Sequence, residues 1–168
     1  VNQHIEINNG SVAQLLKQLG QRAGDMEPFL RALGEDVVER IKGRFGTGTG
    51  PDGAPWAPNS PVTLARYIQS HGRRSGKRAP AAPAKRPLIA SGEMSRGIHY
   101  QVNADALLVA SPAPQAFMMQ FGGTKAQFPH LWGDIPARPF FPVRADGSLY
   151  PDEEQEILDA LTHYLTIE

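Results

Sequence analysis

The segment Gly72-Arg73-Arg74-Ser75-Gly76-Lys77-Arg78 comes nearest to phosphate chemistry in this sequence. A phosphate-cradling loop needs widely spaced glycines, a following Lys and a hydroxyl residue, and a helix whose first backbone amides face the anion. Here the glycines stand too close together, Arg78 occupies the hydroxyl position, and Pro80 and Pro83 oppose a helix. The run Gly46-Thr47-Gly48-Thr49-Gly50-Pro51-Asp52-Gly53 has glycines enough but no Lys and hydroxyl pair after them, so its residues read as turn formers. His4, His71, His99, His130 and His163 are dispersed, without a His-x-x-x-His pair, and the chain has no Cys, so no local ligand set for a metal is visible. Asp152-Glu153-Glu154 reads as the acidic first turn of a helix, where carboxylates meet free backbone donors. No nucleophile is recognisably held against a base. The expectation is a non-catalytic protein with no cofactor and no metal.

The whole-chain numbers agree with a protein that works by contact. A chain of 168 residues is expected to form a single domain, residues 1–168, with a hydrophobic core, and its 40% apolar content supports one. Its 15 Pro and 17 Gly imply much irregular backbone. Basic and acidic residues number 17 each, so no global charge attracts nucleic acid. The local balance is different: Arg66, Arg73, Arg74, Lys77, Arg78, Lys85 and Arg86 lie in one stretch without an acidic residue, while carboxylates gather at Asp152, Glu153, Glu154 and Glu156. Such opposite fields can complement one another in an assembly. The absence of Cys suits assembly in a reducing cytoplasm, and no apolar run approaches the roughly 20 residues that span a bilayer. The polar opening Val1-Asn2-Gln3-His4 does not read as a secretion signal.

The elements that must position these groups follow from periodicity. His4–Asn8 alternates as a half-buried strand does, and Ser11 with Gln14 suits a capping box for a short helix carrying Val12, Leu15, Leu16 and Leu19, which Gly20 and Gly24 weaken. Met26, Phe29, Leu30, Leu33, Val37, Ile41 and Phe45 repeat at helical intervals, predicting a long core helix in which Gly34 admits the close approach of another backbone. Residues 46–60 form a Gly/Pro-rich loop that Trp56 pins, and Ser60-Pro61 starts a short helix with Leu64, Tyr67 and Ile68. Residues 71–87 read as a basic extended arm, and Ser91–Met94 as a turn or short helix. Residues 97–102 and 106–110 form a β-hairpin, Pro114 opens a helix that Gly122-Gly123 ends, and residues 124–144 make an aromatic-containing loop. A last helix is capped by Asp152 with Gln155 and buries Ile157, Leu158, Leu161, Tyr164 and Leu165. The predicted fold class is α+β, helices packed on a small antiparallel sheet with extended loops and a basic arm.

Four blocks, in this order, carry a family resemblance. They are Phe45–Gly53 continuing through Ala54-Pro55-Trp56 to Arg66; Leu88-Ile89-Ala90-Ser91-Gly92-Glu93-Met94 to Ile98; Ala116-Phe117-Met118-Met119-Gln120-Phe121-Gly122-Gly123-Thr124; and Ile135-Pro136-Ala137-Arg138-Pro139-Phe140-Phe141. Together they resemble the virion morphogenesis, or tail-completion, family of Mu-like and P2-like contractile-tailed phages. Met118-Met119 departs from the more usual small-residue and His character before Gln-Phe. The resemblance implies a structural protein, assembled in the host cytoplasm, at the head-proximal end of the tail. It further implies a homo-oligomeric ring, commonly sixfold, that ends tube growth and meets tail tube or sheath proteins and neck or connector proteins. A neck or head–tail connector component is the alternative reading. A DNA-binding packaging accessory is a third, through nonspecific contact by the basic arm.

Large apolar area makes Trp56, Phe121, Trp132, Phe140 and Phe141 candidates for loop anchors or interface hot spots, and sequence leaves both roles open for each. Arg66, Arg73, Arg74, Lys77 and Arg78 are candidates for electrostatic docking.

Overall fold

The structure, a computed structural model, describes residues 10–72, 85–103 and 106–166. The expected strand at His4–Asn8 and most of the basic arm lie outside them. Among the described residues the fold is α+β, with six helices and one two-stranded antiparallel sheet. In chain order the elements are α1 (Gly10–Gly24), α2 (Glu27–Thr47), α3 (Pro61–Gly72), α4 (Glu93–Arg96), β1 (His99–Asn103), β2 (Ala106–Ala110), α5 (Ala116–Phe121) and α6 (Pro151–Leu165).

Helix α2 is the axis of the core. Phe29, Leu30, Leu33, Val37, Ile41 and Phe45 are buried along one stripe, as their three- and four-residue spacing requires. Pro28 sits in the first turn, where its missing N–H costs nothing, and Gly48 ends the helix in the left-handed conformation at φ 72°, its N–H bonded to the Arg44 carbonyl. The helix therefore runs through Gly46 and Thr47, and the expected loop starts two residues later than its composition suggests. Glycine takes positive φ without steric cost, and Gly48 is the residue that does so here.

The hairpin lies across α2 in the register His99↔Ala110 to Asn103↔Ala106. Alternation turns Tyr100, Val102, Leu107 and Val109 inward and leaves His99, Gln101 and Leu108 wet. A hairpin alone is marginal in water, so this face on α2 is what stabilises it. Gly34 is the point of closest approach. A Cβ there would stand 2.4 Å from Tyr100 Cδ2 and 2.9 Å from Leu107 Cδ1, so the glycine admits side chains of the sheet rather than another backbone.

Two helix starts differ from the expected caps. Helix α1 begins at Gly10, placing Ser11 inside it, and continues through Gly20. Tertiary bonds outweigh the roughly 1 kcal/mol that an interior Gly costs: Arg22 Nη1 donates to the carbonyls of Tyr164 and Thr166 at the end of α6, and the Tyr164 hydroxyl donates to Asp25 O. Helix α6 starts at Pro151 after the extended Tyr150, without a side-chain cap, and Gln155 bonds Asp159 instead of closing a capping box. Pro151 presets the first helical φ, which moves the start one residue ahead of Asp152. The expected buried face of α6 also changes: Leu158 is 48% exposed, whereas Glu153 is only 5% exposed.

Glu153 is buried because α2 supplies its counter-ions. Arg44 Nη2 donates to Glu153 Oε1, and Arg40 Nη2 reaches Oε2 at 3.2 Å. Arg44 Nη1 also donates to Phe140 O at 2.6 Å. Burial lowers the Arg44 pKa and the Glu153 charge opposes that shift, so the guanidinium stays protonated beside its partner.

Two outcomes follow from this packing. Gly34→Ala is expected to destabilise by about 1–3 kcal/mol through overpacking, and to cost clearly less in a Tyr100→Ala background, where only the Leu107 methyl must shift; equal costs in both backgrounds, measured by urea unfolding, would contradict the contact. Glu153→Ala is expected to cost about 3 kcal/mol or more, because it strands Arg44 in the core. A thermal or urea midpoint close to that of the parent protein would show that the pair does not hold α6.

Candidate assembly surface

Most of the chain between the helices is irregular, and it is built from the end of α2 outward. After Gly48 the chain folds back on itself: Gly50 N–H donates to Ala54 O, Gly53 N–H to Gly50 O, and Trp56 N–H to Gly48 O. Gly53 adopts φ 73°, which a tight reversal needs. This turn delivers the Trp56 indole edge-on to Phe45 at 5.4 Å between centroids, and Phe45 meets Phe140 at 5.2 Å. Trp56 Nε1 donates to Pro139 O at 2.8 Å, so the buried indole is also hydrogen-bonded.

The segment approaching Phe140 is held by side chains. Gln120, on α5, accepts from the amides of Phe140 and Phe141 at 2.8 and 2.9 Å and donates to the carbonyls of Phe141 and Val143. Arg138 points the other way, donating from Nε to Ala57 O and from Nη2 to Pro58 O, and so ties this segment to the loop after Trp56. Burial pushes the Arg138 pKa down. Gly122 and Gly123 permit the return strand to come close. A Cβ on Gly122, at φ 71°, would stand 2.7 Å from Ala137 N and Ile135 O, and Gly123 exchanges backbone bonds with Ile135.

These bonds support an outward face. Trp132 is 97% exposed and Phe117 is 65% exposed. Phe117 leans edge-on against the half-buried Phe121 at 5.0 Å, and both border a shallow groove completed by Phe128, Ile135 and Pro136. Trp132 is the most exposed of the large apolar side chains among the described residues.

The candidate residues thus separate by location. Trp56 and Phe140 are buried in the core, Phe121 and Phe141 are half-buried, and Trp132 projects into solvent. Arg66 is exposed on α3, while Arg73, Arg74, Lys77 and Arg78 lie outside the described residues. Near the far end of the basic segment, Lys85 Nζ sits 4.9 Å over the Tyr67 ring and Arg86 donates to Gly46 O. Sequence reasoning did not single out Phe117, Arg44, Arg138 or Glu153 as positioning residues. A signal exists for two of them: Arg44 lies three residues past Ile41 on the apolar stripe of α2, and Glu153 lies four before Ile157 on the inner face of α6.

Among the described residues no group of three or more His, Cys, Asp or Glu side chains could hold a metal ion, and no helix is long and apolar enough to cross a membrane. No curated protein and no solved structure matches the chain. The profile of the phage virion morphogenesis family, by contrast, matches residues 7–166, a span that includes all four sequence blocks and every described element. The chain belongs to the phage virion morphogenesis family, as a structural tail-morphogenesis protein of contractile-tailed phages and not an enzyme.

Proposed function

We propose that this chain, acting as one domain, completes the head-proximal end of the tail, closing into a homo-oligomeric ring that ends tube growth and enables head–tail joining. Family membership supplies the tail-assembly context. The observation that carries the finer reading is the exposure of Trp132 and Phe117, the first on a loop closed by the Gly123–Ile135 backbone bonds and the second on α5, whose Gln120 ties it to the Phe140 segment. An end cap must meet a finished tube on one side and a neck or connector protein on the other. Loops tied to a shared core can present different surfaces to each without the ordering cost that less tightly held segments would incur on binding.

Large exposed aromatics contribute most to such a contact when they become fully covered. Trp132 and Phe117 are assigned that role against the tube or its sheath, and Trp56 and Phe140 the role of holding the loops behind them. The second partner lies at the neck, and the cations that follow Arg66 in sequence, Arg73, Arg74, Lys77 and Arg78, are the docking element assigned there.

Tails assembled without this protein provide the test. The parent protein is expected to bind their head-proximal ends in electron micrographs. Trp132→Ala and Phe117→Ala are each expected to weaken end binding by about tenfold or more, with the unfolding free energy changed by no more than about 0.5 kcal/mol for Trp132→Ala. Trp56→Ala is expected to unfold the protein readily, at a cost of about 3–5 kcal/mol. End binding that survives loss of both exposed aromatics would remove this surface from the contact, and binding to portal-side proteins alone would point to a connector.

A further inference from the structure

Helix α3 stands out from the core. None of residues 61–69 is buried, and only Leu64 and Tyr67 are half-buried. At 100° per residue the exposed side runs from Ile68 through Ala65 and Val62 to Arg66, an oblique apolar stripe with a cation at its edge. Arg66 has no ion-pair partner among the described residues. In sequence it opens the stretch of seven cations without a carboxylate.

Helix α6 presents the opposite chemistry. Its inner side, with Glu153, Ile157 and Tyr164, packs on α2 and α1. Its outer side carries Leu158 beside Glu154 and Gln155, four and three residues before it, with Asp159 and Asp152 farther round the helix, all exposed. Among the described residues Asp152, Glu154 and Asp159 form no ion pair; Asp159 accepts only from Gln155 Nε2. An exposed leucine with an unpaired carboxylate one turn before it is complementary in sign to an apolar stripe edged by an unpaired arginine.

We propose that α3 of one copy docks on the outer face of α6 of a second copy, Val62, Ala65 and Ile68 covering Leu158 while Arg66 meets Glu154, and Asp159 lies at the far edge of the contact. The inference rests on the assembly reading above and names the contact between its subunits. The two surfaces are different patches of one chain, so the contact is head-to-tail and can repeat until it closes a ring. Charge favours a second copy over a nucleic acid. The chain is formally neutral, with 17 charges of each sign, and a repeated α3-to-α6 contact places every cationic face on an acidic one. A phosphate backbone would leave the α6 carboxylates uncovered and would have no use for the apolar stripe.

Sedimentation velocity on the full chain tests this, with circular dichroism confirming that each variant is folded. The parent protein is expected to associate with rising concentration and to dissociate as salt is raised to about 0.5 M. Arg66→Glu, Val62→Asp and the double variant Glu154→Lys/Asp159→Lys are each expected to weaken association by about tenfold or more. Mixing Arg66→Glu with Glu154→Lys/Asp159→Lys is expected to recover association that neither shows alone, because the reversed charges again meet opposite partners. A parent protein that stays monomeric, variants that associate like the parent, or a mixture no better than its components would each overturn the contact. Loss of DNA retention by Arg66→Glu with self-association intact would assign the basic face to nucleic acid instead. End binding to incomplete tails separates this from the functional reading: variants that decorate tail ends without self-associating would leave that reading standing, whereas a parent ring that binds no tail end would defeat it and keep the contact.

Discussion

Buried backbone must find hydrogen-bond partners, and in this protein much of that backbone is irregular. Residues 138–142 run beside Phe45 without joining the sheet, with Arg138 and Phe140 buried and the rest half-buried, so neither a helix nor a ladder satisfies most of their amides and carbonyls. Side chains do it instead. Arg44 and Trp56 donate to the carbonyls of Phe140 and Pro139, Gln120 takes the amides of Phe140 and Phe141, and among the described residues no buried side-chain polar atom is left without a partner. The aromatic cluster of Phe45, Trp56 and Phe140 can exist only because those polar groups are matched around it.

That arrangement explains how a loop-rich chain can act as a building block. Each of the tying side chains joins distant parts of the sequence: Arg44 links α2 to both α6 and the Phe140 segment, and Arg138 links the same segment to the loop after Trp56. A displacement of one loop is therefore opposed by the core and by its neighbours. Surfaces held in this way lose little conformational freedom when they are covered, which lets modest contact areas suffice for assembly. The chemistry needed is complementarity of shape and charge, and tail morphogenesis asks for no bond to be made or broken.

The charge pattern has a similar division of labour. Carboxylates that face inward, as Glu153 does, are matched within the chain by Arg40 and Arg44. Those on the outer face of α6 and the cation on α3 are left unmatched among the described residues. The internal pair is shielded from salt and fixes geometry, whereas the exposed charges are screened within about 8 Å at physiological ionic strength and suit a contact that forms late. A neutral total thus conceals two populations of charge with different physical roles.

Local pattern determined α2, the hairpin and the existence of α6, because a stripe at helical spacing or an alternation of polar and apolar residues has few other ways to bury its apolar face. The blocks around Trp56 and Gln120 likewise carried the family. Pairings across long sequence separations were decided only by the tertiary structure. Arg44 and Glu153 are 109 positions apart, and although helical spacing puts Glu153 on the side of Ile157, nothing local names the guanidinium that pairs with it. Five aromatic candidates looked alike in sequence, yet Phe140 is sealed in the core while Trp132 stands in water. An aromatic side chain favours burial of either kind, inside its own chain or against another, and which kind it receives depends on the backbone path that neighbouring segments leave open.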